Sequence, residues 1–540
     1  MSIPRWNPSR VYSFQEKALL KRLKRTRKLF AFLRNHRHEL FDDAFQAELE
    51  TMYRDTGAGK PPVAPALMAM AVLLQGYVGA SDAEAVELTV VDLRWQLVLG
   101  RLGASEPAFS QGALQQFRQR MIKHDMDRRL LERTVELARR TKEFSWKALP
   151  TSLRVAMDSA PLQGAGAVED TLNLVGHAAR EVVRCAAILL NRNESDICRE
   201  AKIPVLLASS IKAGLDRDWA DPFEKQQAVK DLAKQVASLQ RWIDRNFDKG
   251  KRPEALLQSL ETLVQIMAQD LEPDPKGTGP KIKRGVAKDR RISVRDPQMR
   301  HGRKSKSKTI DGFKQHIADE IDEDLVLACA LTSANQSDAV AAEALKEEIE
   351  QQDLGVGELY IDRQYLDSPV VHQMAKDGLP IICRPRTFNS KVVLLNKSFF
   401  NINIRDRTIT CPAGQTIPFR LGTTVHFDPS ACDACVLRFL CTTSAKGRGR
   451  SVSISKDEPL QKRLRRLAST PRGRRKLRKR VHVEHQLAHI QQRKGGGRAR
   501  YFGVRDNLFD LRRAATIQNL ESIHRRTDAW LANNRTAKAA

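Results

Sequence analysis

Two aspartates that lie far apart in the chain are of the residue type that binds divalent cations. Asp158 ends an apolar stretch that contains Leu153, Val155 and Met157, and Asp362 ends another, in LYID. If these stretches are neighbouring strands, both carboxylates can point into one pocket, where they repel each other unless a cation neutralises them. The pattern therefore predicts a Mg²⁺ site.

Glu484 is the candidate for a third ligand. It lies in the helical sequence RVHVEHQLAHI and is the only acid between Lys462 and Arg505, a stretch with sixteen Lys and Arg residues. As half of a surface ion pair Glu484 would be dispensable, whereas as a metal ligand in a groove that binds DNA phosphates it would be essential. Three acids in a chain with 64 do not decide between these interpretations, because most Asp residues at strand ends are caps or turn formers.

A second set of candidate ligands consists of Cys411, Cys432, Cys435 and Cys441, spaced C-x20-C-x2-C-x5-C. Four thiolates at such spacings suit a closed tetrahedral Zn²⁺ site that would stabilise a small insertion. The last spacing is looser than in common zinc ribbons, so His426 could replace one cysteine. Four unligated thiols are the alternative, while a redox pair is not expected because the βαβ setting is missing.

The composition limits the possible partners. The 540-residue chain has a formal net charge of +28 and 41% hydrophobic residues. The hydrophobic content predicts a folded protein of several domains, and the charge predicts a polyanionic partner, nucleic acid before an anionic membrane surface. The sequence has no apolar run of about 18 residues and no signal-peptide pattern. We therefore expect a soluble intracellular protein without a membrane partner.

The first part of the chain has the pattern of short helices. They are expected within residues 13 to 50 and in PALMAMAVLLQGYVG, SDAEAVELTV and SQGALQQFRQRMIKH, with Ser81 and Ser110 as N-caps. Helices joined by glycine-containing turns are compatible with a helix-turn-helix DNA reader. Four residues would then face DNA: Gln115, Gln116, Arg118 and Arg120. An ordinary helical bundle explains the pattern equally well.

After residue 150 strand patterns predominate, in SLRVAMD, RISV, KTIDGFKQHIAD, LVLACALTSA, GELYID and LPIICRP. Proline and glycines after Asp158 predict that the first strand ends there. A helical, charge-rich stretch follows that strand, and the helix SDAVAAEALKEEIEQ precedes GELYID. The order predicts an α/β fold, a mixed sheet with a long helical insertion.

Several blocks of this sequence resemble, in order and residue type, those of a bacterial insertion-sequence DDE transposase family. The blocks are MDSAPLQGAGAVEDT, DPQMRHGRKSKSKTIDGFKQHIADE, IDRQYLDS, and RKRVHVEHQLAHIQQ followed by GGRARYFGVRDNLFDLRRAATIQNLE. The last is the most specific. The resemblance covers most of residues 15 to 523 and includes the cysteine cluster.

The resemblance implies an RNase H-like core in which Asp158, Asp362 and Glu484 bind Mg²⁺ or Mn²⁺, with structural Zn²⁺ at the cysteines. Arg480 and Glu484 match the Arg-x-x-x-Glu spacing of related transposases, which places both on one helical face. Two positions depart from the family pattern. Gln364 stands where relatives commonly have glycine, and Leu477 stands where a tyrosine would contact DNA.

The implied reaction is two-metal-ion phosphoryl transfer. A phosphodiester is hydrolysed at each end of the insertion sequence, and the freed 3′-hydroxyl then attacks target DNA. The implied partner is double-stranded DNA, namely terminal inverted repeats and target, bound by a homodimer in the bacterial cytoplasm at the nucleoid. A magnesium-dependent nuclease on the same core and a catalytically inactive, transposase-derived DNA-binding regulator are the alternatives.

We thus expect a helical DNA-binding region at 1–145 and an RNase H-like domain at 150–523. A helical insertion at 176–280 and a Cys-rich insertion at 398–455 would interrupt that domain, and a flexible tail would follow at 524–540. The residues expected to contact DNA are Arg118, Arg120, His301, Arg303, Lys304, Lys306, Lys308, Arg480, Arg498, Arg500 and Arg505.

Overall fold

Up to residue 140 the described chain forms helices and no strands. The computed structural model describes residues 3–23, 28–54, 61–140, 152–275, 277, 279–304, 307–387, 394–493, 495 and 497–539. The helices are α1 (Phe14–Arg22), α2 (Lys28–Leu40), α3 (Asp43–Glu50), α4 (Pro65–Val78), α5 (Asp82–Val91), α6 (Leu93–Leu99), α7 (Gln111–Lys123) and α8 (Met126–Arg140). Both predicted N-caps are confirmed, because the Ser81 hydroxyl accepts from Glu84 N and the Ser110 hydroxyl accepts from Ala113 N.

The first strand, β1 (Leu153–Gln163), leads into a helical insertion with its own hydrophobic core. The insertion contains α9 (Thr171–Leu190), α10 (Glu194–Glu200), α11 (Ile211–Leu215), α12 (Pro222–Asn246) and α13 (Glu254–Asp270), then the hairpin β2 (Leu271–Pro273) and β3 (Pro280–Ile282). Its first helix begins before the expected residue 176, because the Asp170 carboxylate caps it by accepting from Asn173 N at 3.0 Å.

The central sheet is mixed, as the order of sequence patterns predicts. After the insertion come β4 (Arg300–Arg303), β5 (Thr309–Glu320), β6 (Leu325–Ser333), α14 (Ala341–Glu350), β7 (Val356–Ile361), α15 (Pro369–Lys376) and β8 (Ile381–Ile382). The strand β5 pairs antiparallel with β1, β4 and β6, whereas β7 lies parallel to both β1 and β8. The chain is therefore an α/β protein.

The strand β1 is longer than expected, so Asp158 lies within it and not at its end. Pro161, which has no N–H to donate, is tolerated within β1 because β7 pairs with β1 only as far as Met157. Among the described residues, no strand lies beside the later residues of β1 on the side away from β5. Gln163 N donates to Gly497 O at 2.8 Å on the side away from β5. The nitrogen of Pro161, two residues earlier, faces the same side, so the missing N–H removes no bond to β5.

The predicted strand RISV is wrong. Arg291, at its start, is buried, but the Gln269 side chain satisfies both of its backbone groups, accepting from Arg291 N and donating to Arg291 O, each at 2.9 Å. The Arg291 guanidinium donates to Ser293 O and Val294 O. The segment thus packs on the helical insertion, and a strand partner is not needed.

The rest of the described chain forms a small unit and four helices. The unit contains β9 (Asn401–Asn403), β10 (Thr408–Thr410), β11 (Thr416–Pro418), β12 (Thr424–His426), α16 (Pro429–Asp433), α17 (Arg438–Cys441) and β13 (Ser451–Ser453). The helices are α18 (Glu458–Ser469), α19 (Pro471–Lys479), α20 (Val481–Arg493) and α21 (Val504–Ala539). Residues 524–539, expected to form a tail, continue α21.

One hydrophobic core joins the N-terminal helices to the sheet. Side chains of α4 cluster with Val155 of β1 and with Ile517 of α21. Polar groups buried along α21 are paired as well, since Asn519 Nδ2 donates to Val326 O at 2.8 Å and to Thr134 Oγ1 at 2.9 Å. The helix α21 therefore ties α8 to β6.

No single helix in the described part of the chain is long and apolar enough to cross a membrane. The helices α4 and α5 pass a test of length and composition only as a pair, bent by 104°, and α4 is buried along most of its length.

Gly312 allows β1 and β5 to approach closely. Its φ is +152°, and a Cβ there would lie 2.3 Å from Gly164 N and 2.6 Å from Leu162 O. We expect Gly312→Ala to lower the free energy of unfolding by about 2–4 kcal/mol through overpacking and backbone strain, measured as a lower calorimetric unfolding midpoint. The control is Gly112→Ala on α7, whose new Cβ meets nothing within 4 Å. Equal midpoints in the two variants would contradict this role for Gly312.

Candidate active site

Asp158, Asp362 and Glu484 line one pocket. The sheet brings the two aspartates together, because Met157 of β1 pairs with Ile361 of the parallel strand β7 and each aspartate is the next residue. Parallel strands keep equivalent residues side by side. Both aspartates therefore line the same pocket, although only Asp362 follows directly on the end of its strand.

Glu484 reaches the pocket from α20. The apolar face of this helix, with Val483, Leu487 and Ile490, packs on side chains of β1 and β5. Gln491 Nε2 donates to Pro161 O at 2.8 Å and fixes the helix along β1. Packing of that face leaves the neighbouring Glu484 at the rim of the pocket, where its side chain is 47% exposed.

Arg480 lies between the first and third acids. Its Nη1 donates to Asp158 Oδ2 at 2.7 Å, and its Nη2 donates to Glu484 Oε1 at 2.5 Å. The i, i+4 spacing predicted one helical face for Arg480 and Glu484, and the contact confirms it. Arg480 is among the residues expected to contact DNA, but its side chain here binds two carboxylates.

The Asp158 carboxyl has an unusual electrostatic environment. Burial raises its pKa above the usual value, while the Arg480 guanidinium and the Ser159 N–H, which donates to Oδ1 at 2.8 Å, oppose the rise. The carboxylates of Glu484 and Asp362 add to it. The raised pKa means that burial disfavours the ionised Asp158 carboxylate even beside Arg480.

A buried hydrogen-bond network holds the turn that carries Asp362. The Asp362 carboxylate accepts from Arg363 N at 2.7 Å, at the start of a 3-10 turn over Arg363–Asp367. In that turn the Tyr365 hydroxyl lies 2.8 Å from His316 Nδ1, and His316 Nε2 lies 2.9 Å from the Thr332 hydroxyl. Burial lowers the pKa of His316 to about 4, so the ring is neutral and can donate through one nitrogen and accept through the other.

Lys314, Asp338 and Ser159 also line the pocket, and sequence reasoning missed them. Lys314 Nζ donates to Asp338 Oδ1 at 2.8 Å, and the Ser159 hydroxyl donates to Asp338 Oδ2 at 2.6 Å. This pair adds a lysine, whose side chain is only 12% exposed, to the lining of the pocket. The available signal was a lysine inside a strand of otherwise buried residues, in DGFKQH.

Two stretches of the chain match protein-family models. Residues 19–120 match a transposase domain (DUF772), and residues 410–524 match a transposase DDE domain. Together the two matches indicate a DDE-type insertion-sequence transposase family. The second match includes Glu484 and the four cysteines, whereas Asp158 and Asp362 lie outside both matches. Neither curated proteins nor solved structures gave a significant match.

Beside the three acids, the hairpin of β4 and β5 supplies exposed cations. Arg303 and Lys304 line the pocket. His301 Nδ1 lies 2.6 Å from Asp311 Oδ1, and Lys308 O accepts from Lys304 N within the hairpin. Lys306 lies outside the described residues. Of the positions that depart from the family pattern, Gln364 lines the pocket, whereas Leu477 packs against the core beneath α20.

The other cations expected to contact DNA lie away from the pocket. Arg498 and Arg500 are exposed after α20, and Arg500 Nη2 donates to Gly79 O at 3.1 Å. Arg120 is half-buried, with its guanidinium 4.7 Å from the centre of the Tyr53 ring.

The structure speaks against DNA contacts by Arg118 and Arg505. Arg118 is buried, and its two terminal nitrogens donate to Asp82 at 2.8 and 2.7 Å. Arg505 Nη1 donates to Asp127 at 2.9 Å, and its Nη2 donates to Ile122 O at 2.8 Å. Both arginines join helices, because their carboxylate partners come from other elements.

The four cysteines of the small unit line one pocket. Gln415 N donates to Cys411 Sγ at 3.3 Å, and Arg450 N donates to Cys432 Sγ at 3.5 Å. Burial raises the pKa of Cys441, and the other three thiols add to the rise, so all four are close enough to interact. His426 does not line this pocket in the described part of the chain.

Within the described residues no three His, Cys, Asp or Glu side chains are arranged closely enough to hold a metal ion. At the acids the reason is visible, since Arg480 separates Asp158 from Glu484. The oxygen-rich donor set nevertheless fits Mg²⁺ or Mn²⁺, and the four thiols fit Zn²⁺.

The contact between Tyr365 and His316 can be tested by a double-mutant cycle. We expect Tyr365→Phe to cost about 1–3 kcal/mol of stability, because a buried ring nitrogen loses its partner. His316→Leu should also destabilise the protein, and the double variant should lose at least about 0.5 kcal/mol less than the sum of the two. Denaturant unfolding of the four proteins gives the coupling energy. Additive losses would contradict a direct interaction.

Proposed function

We propose that this protein is a DDE transposase that cleaves DNA at the ends of an insertion sequence and joins the 3′-hydroxyl ends to target DNA. One observation carries the proposal: Asp158, Asp362 and Glu484, from three distant segments, line one pocket with basic neighbours. The match to a transposase DDE domain supports it. The mixed sheet, with acids on two adjacent parallel strands and a third on a packed helix, is the arrangement expected of an RNase H-like core.

The three acids would hold Mg²⁺ or Mn²⁺, which when bound activates the attacking oxygen and stabilises the leaving one. The chain's own residues position the strand. Arg303 and Lys304, exposed at the pocket, would bind phosphates on one side of the cleaved bond. Lys314, held by Asp338, is a further hydrogen-bond donor that lines the pocket. Such positioning and charge stabilisation serve both hydrolysis and strand transfer, because each is an in-line attack on phosphorus.

Recognition of the terminal repeats is assigned to the helical region 1–145, with Gln115 and Gln116 exposed on α7. Other basic residues would follow the DNA backbone, namely the half-buried His301 and the exposed Arg303, Lys304, Lys308, Arg498 and Arg500. Recognition of two ends requires two DNA-binding surfaces, so the active form is a homodimer on double-stranded DNA. The resemblance to a bacterial insertion-sequence family supports the further proposal that the protein acts in the bacterial cytoplasm, at the nucleoid.

Substitution of the acids tests this proposal. We expect Asp158→Asn and Glu484→Gln to reduce metal-dependent cleavage about a thousandfold or more, while DNA binding in a gel-shift assay persists. The substrate is linear DNA that carries the gene with its flanking sequence. The control is Glu343→Gln, an exposed acid on α14. Cleavage retained by both active-site variants would overturn the assignment.

The same assay with a target plasmid separates the proposed function from its competitors. A transposase joins 3′ ends to the plasmid, whereas a magnesium-dependent nuclease only cuts. A DNA-binding regulator would bind without cutting, and the departures at Gln364 and Leu477 make this outcome informative.

We further propose that Cys411, Cys432, Cys435 and Cys441 hold a structural Zn²⁺. Their shared pocket supports this, as do the two N–H groups that donate to sulfur, since such bonds stabilise thiolates. The apolar core of the unit is small. A metal that links its turns would therefore contribute much of its stability.

Elemental analysis of reduced protein tests the zinc site. We expect about one zinc per chain in the wild type and its loss in Cys432→Ser combined with Cys435→Ser, with a lower unfolding midpoint. Cys185→Ser, in the helical insertion, is the control and should retain zinc. Reduced wild-type protein without zinc would refute the site.

A further inference from the structure

Arg480 occupies the position where a cation must bind if the acids are to act together. It stands at the junction of α19 and α20, and its side chain is 26% exposed. Both oxygens of Asp158 are engaged, Oδ1 by Ser159 N and Oδ2 by Arg480. A metal ion cannot bridge Asp158 and Glu484 while the guanidinium lies between them.

The charges around Arg480 determine when its side chain can leave the two carboxylates that it bridges. Arg303 and Lys304 line the same pocket, and exposed Arg478 and Lys479 precede Arg480. Without DNA these cations repel an approaching divalent ion, and a displaced Arg480 would lose two charge-assisted hydrogen bonds. DNA phosphates neutralise the basic residues and offer Arg480 an equivalent partner, because a guanidinium binds phosphate as well as carboxylate.

We infer that Arg480 is a counter-ion switch: it fills the cation position in the DNA-free protein and is exchanged for divalent metal when a DNA phosphate binds. This inference rests on the proposed function and extends it. Metal and DNA then bind cooperatively, and by reciprocity DNA binds more tightly when metal is present. Arg480 acts as a positioning residue, because its movement allows the acids to come together around a metal ion.

Metal binding measured without turnover tests the switch. Mn²⁺ binding is followed by the electron paramagnetic resonance of the free ion, with and without a short duplex of arbitrary sequence at low ionic strength. Asp362→Asn measured with the same duplex gives the Mn²⁺ bound by DNA itself, which is subtracted. For the wild type we expect the duplex to raise Mn²⁺ affinity about tenfold or more.

In Arg480→Gln we expect Mn²⁺ to bind without DNA several times more tightly than in the wild type, and the gain from DNA to fall to about twofold or less. The matched control is Arg241→Gln, which removes the same charge from an exposed residue of α12 in the helical insertion and should behave as the wild type. Arg480→Lys keeps the charge but cannot bridge two carboxylates. It should change metal affinity in the same direction by less, and it serves if the glutamine variant does not fold.

The outcomes separate this inference from the proposed function. If Asp362→Asn binds Mn²⁺ as the wild type does, the acids are not a metal site and the proposed function fails. If binding depends on Asp362 but both Arg480 variants behave as Arg241→Gln does, the acids remain a metal site and only the switch is overturned.

Discussion

Three carboxylates in one partly buried pocket repel each other, and the residues around them reduce that repulsion. Arg480 supplies one positive charge between Asp158 and Glu484. Burial acts on the site as well, because it raises the pKa of Asp158 above its usual value despite the adjacent arginine. A divalent metal would neutralise more carboxylate charge than one guanidinium does, and oxygen ligands suit it.

Each acid is held by a different kind of interaction. Backbone pairing of β1 with β7 fixes Asp158, and the packed apolar face of α20 fixes Glu484. Asp362 follows its strand on a short turn that depends on Tyr365 and its neutral partner His316. Sheet pairing and helix packing involve many residues, so they resist single changes. The turn relies on one buried hydrogen bond, which makes Asp362 the most easily displaced of the three.

The sequence predicted that Asp158 and Asp362 lie close together. The apolar residues before each aspartate identify a strand from the local sequence, and parallel pairing of the two strands then brings the aspartates side by side. It failed where a distant side chain decided the outcome. Arg118 and Arg505 are indistinguishable from DNA contacts until Asp82 and Asp127 are found beside them. At RISV the side chain of Gln269 satisfies the backbone of Arg291. The Lys314 to Asp338 pair joins a residue inside β5 to one beyond β6, which no local pattern connects.

The structure shows where part of the net charge of +28 lies. Buried arginines are neutralised within the fold, as Arg34 is by Glu16 and Arg512 by Glu348. The excess positive charge is exposed on α19 and on the hairpin of β4 and β5, and both reach the pocket through Arg480 and Arg303. DNA bound to these surfaces would bring phosphates to the acids and neutralise the cations that oppose a metal ion. Substrate binding and metal binding are thus coupled through the same charges.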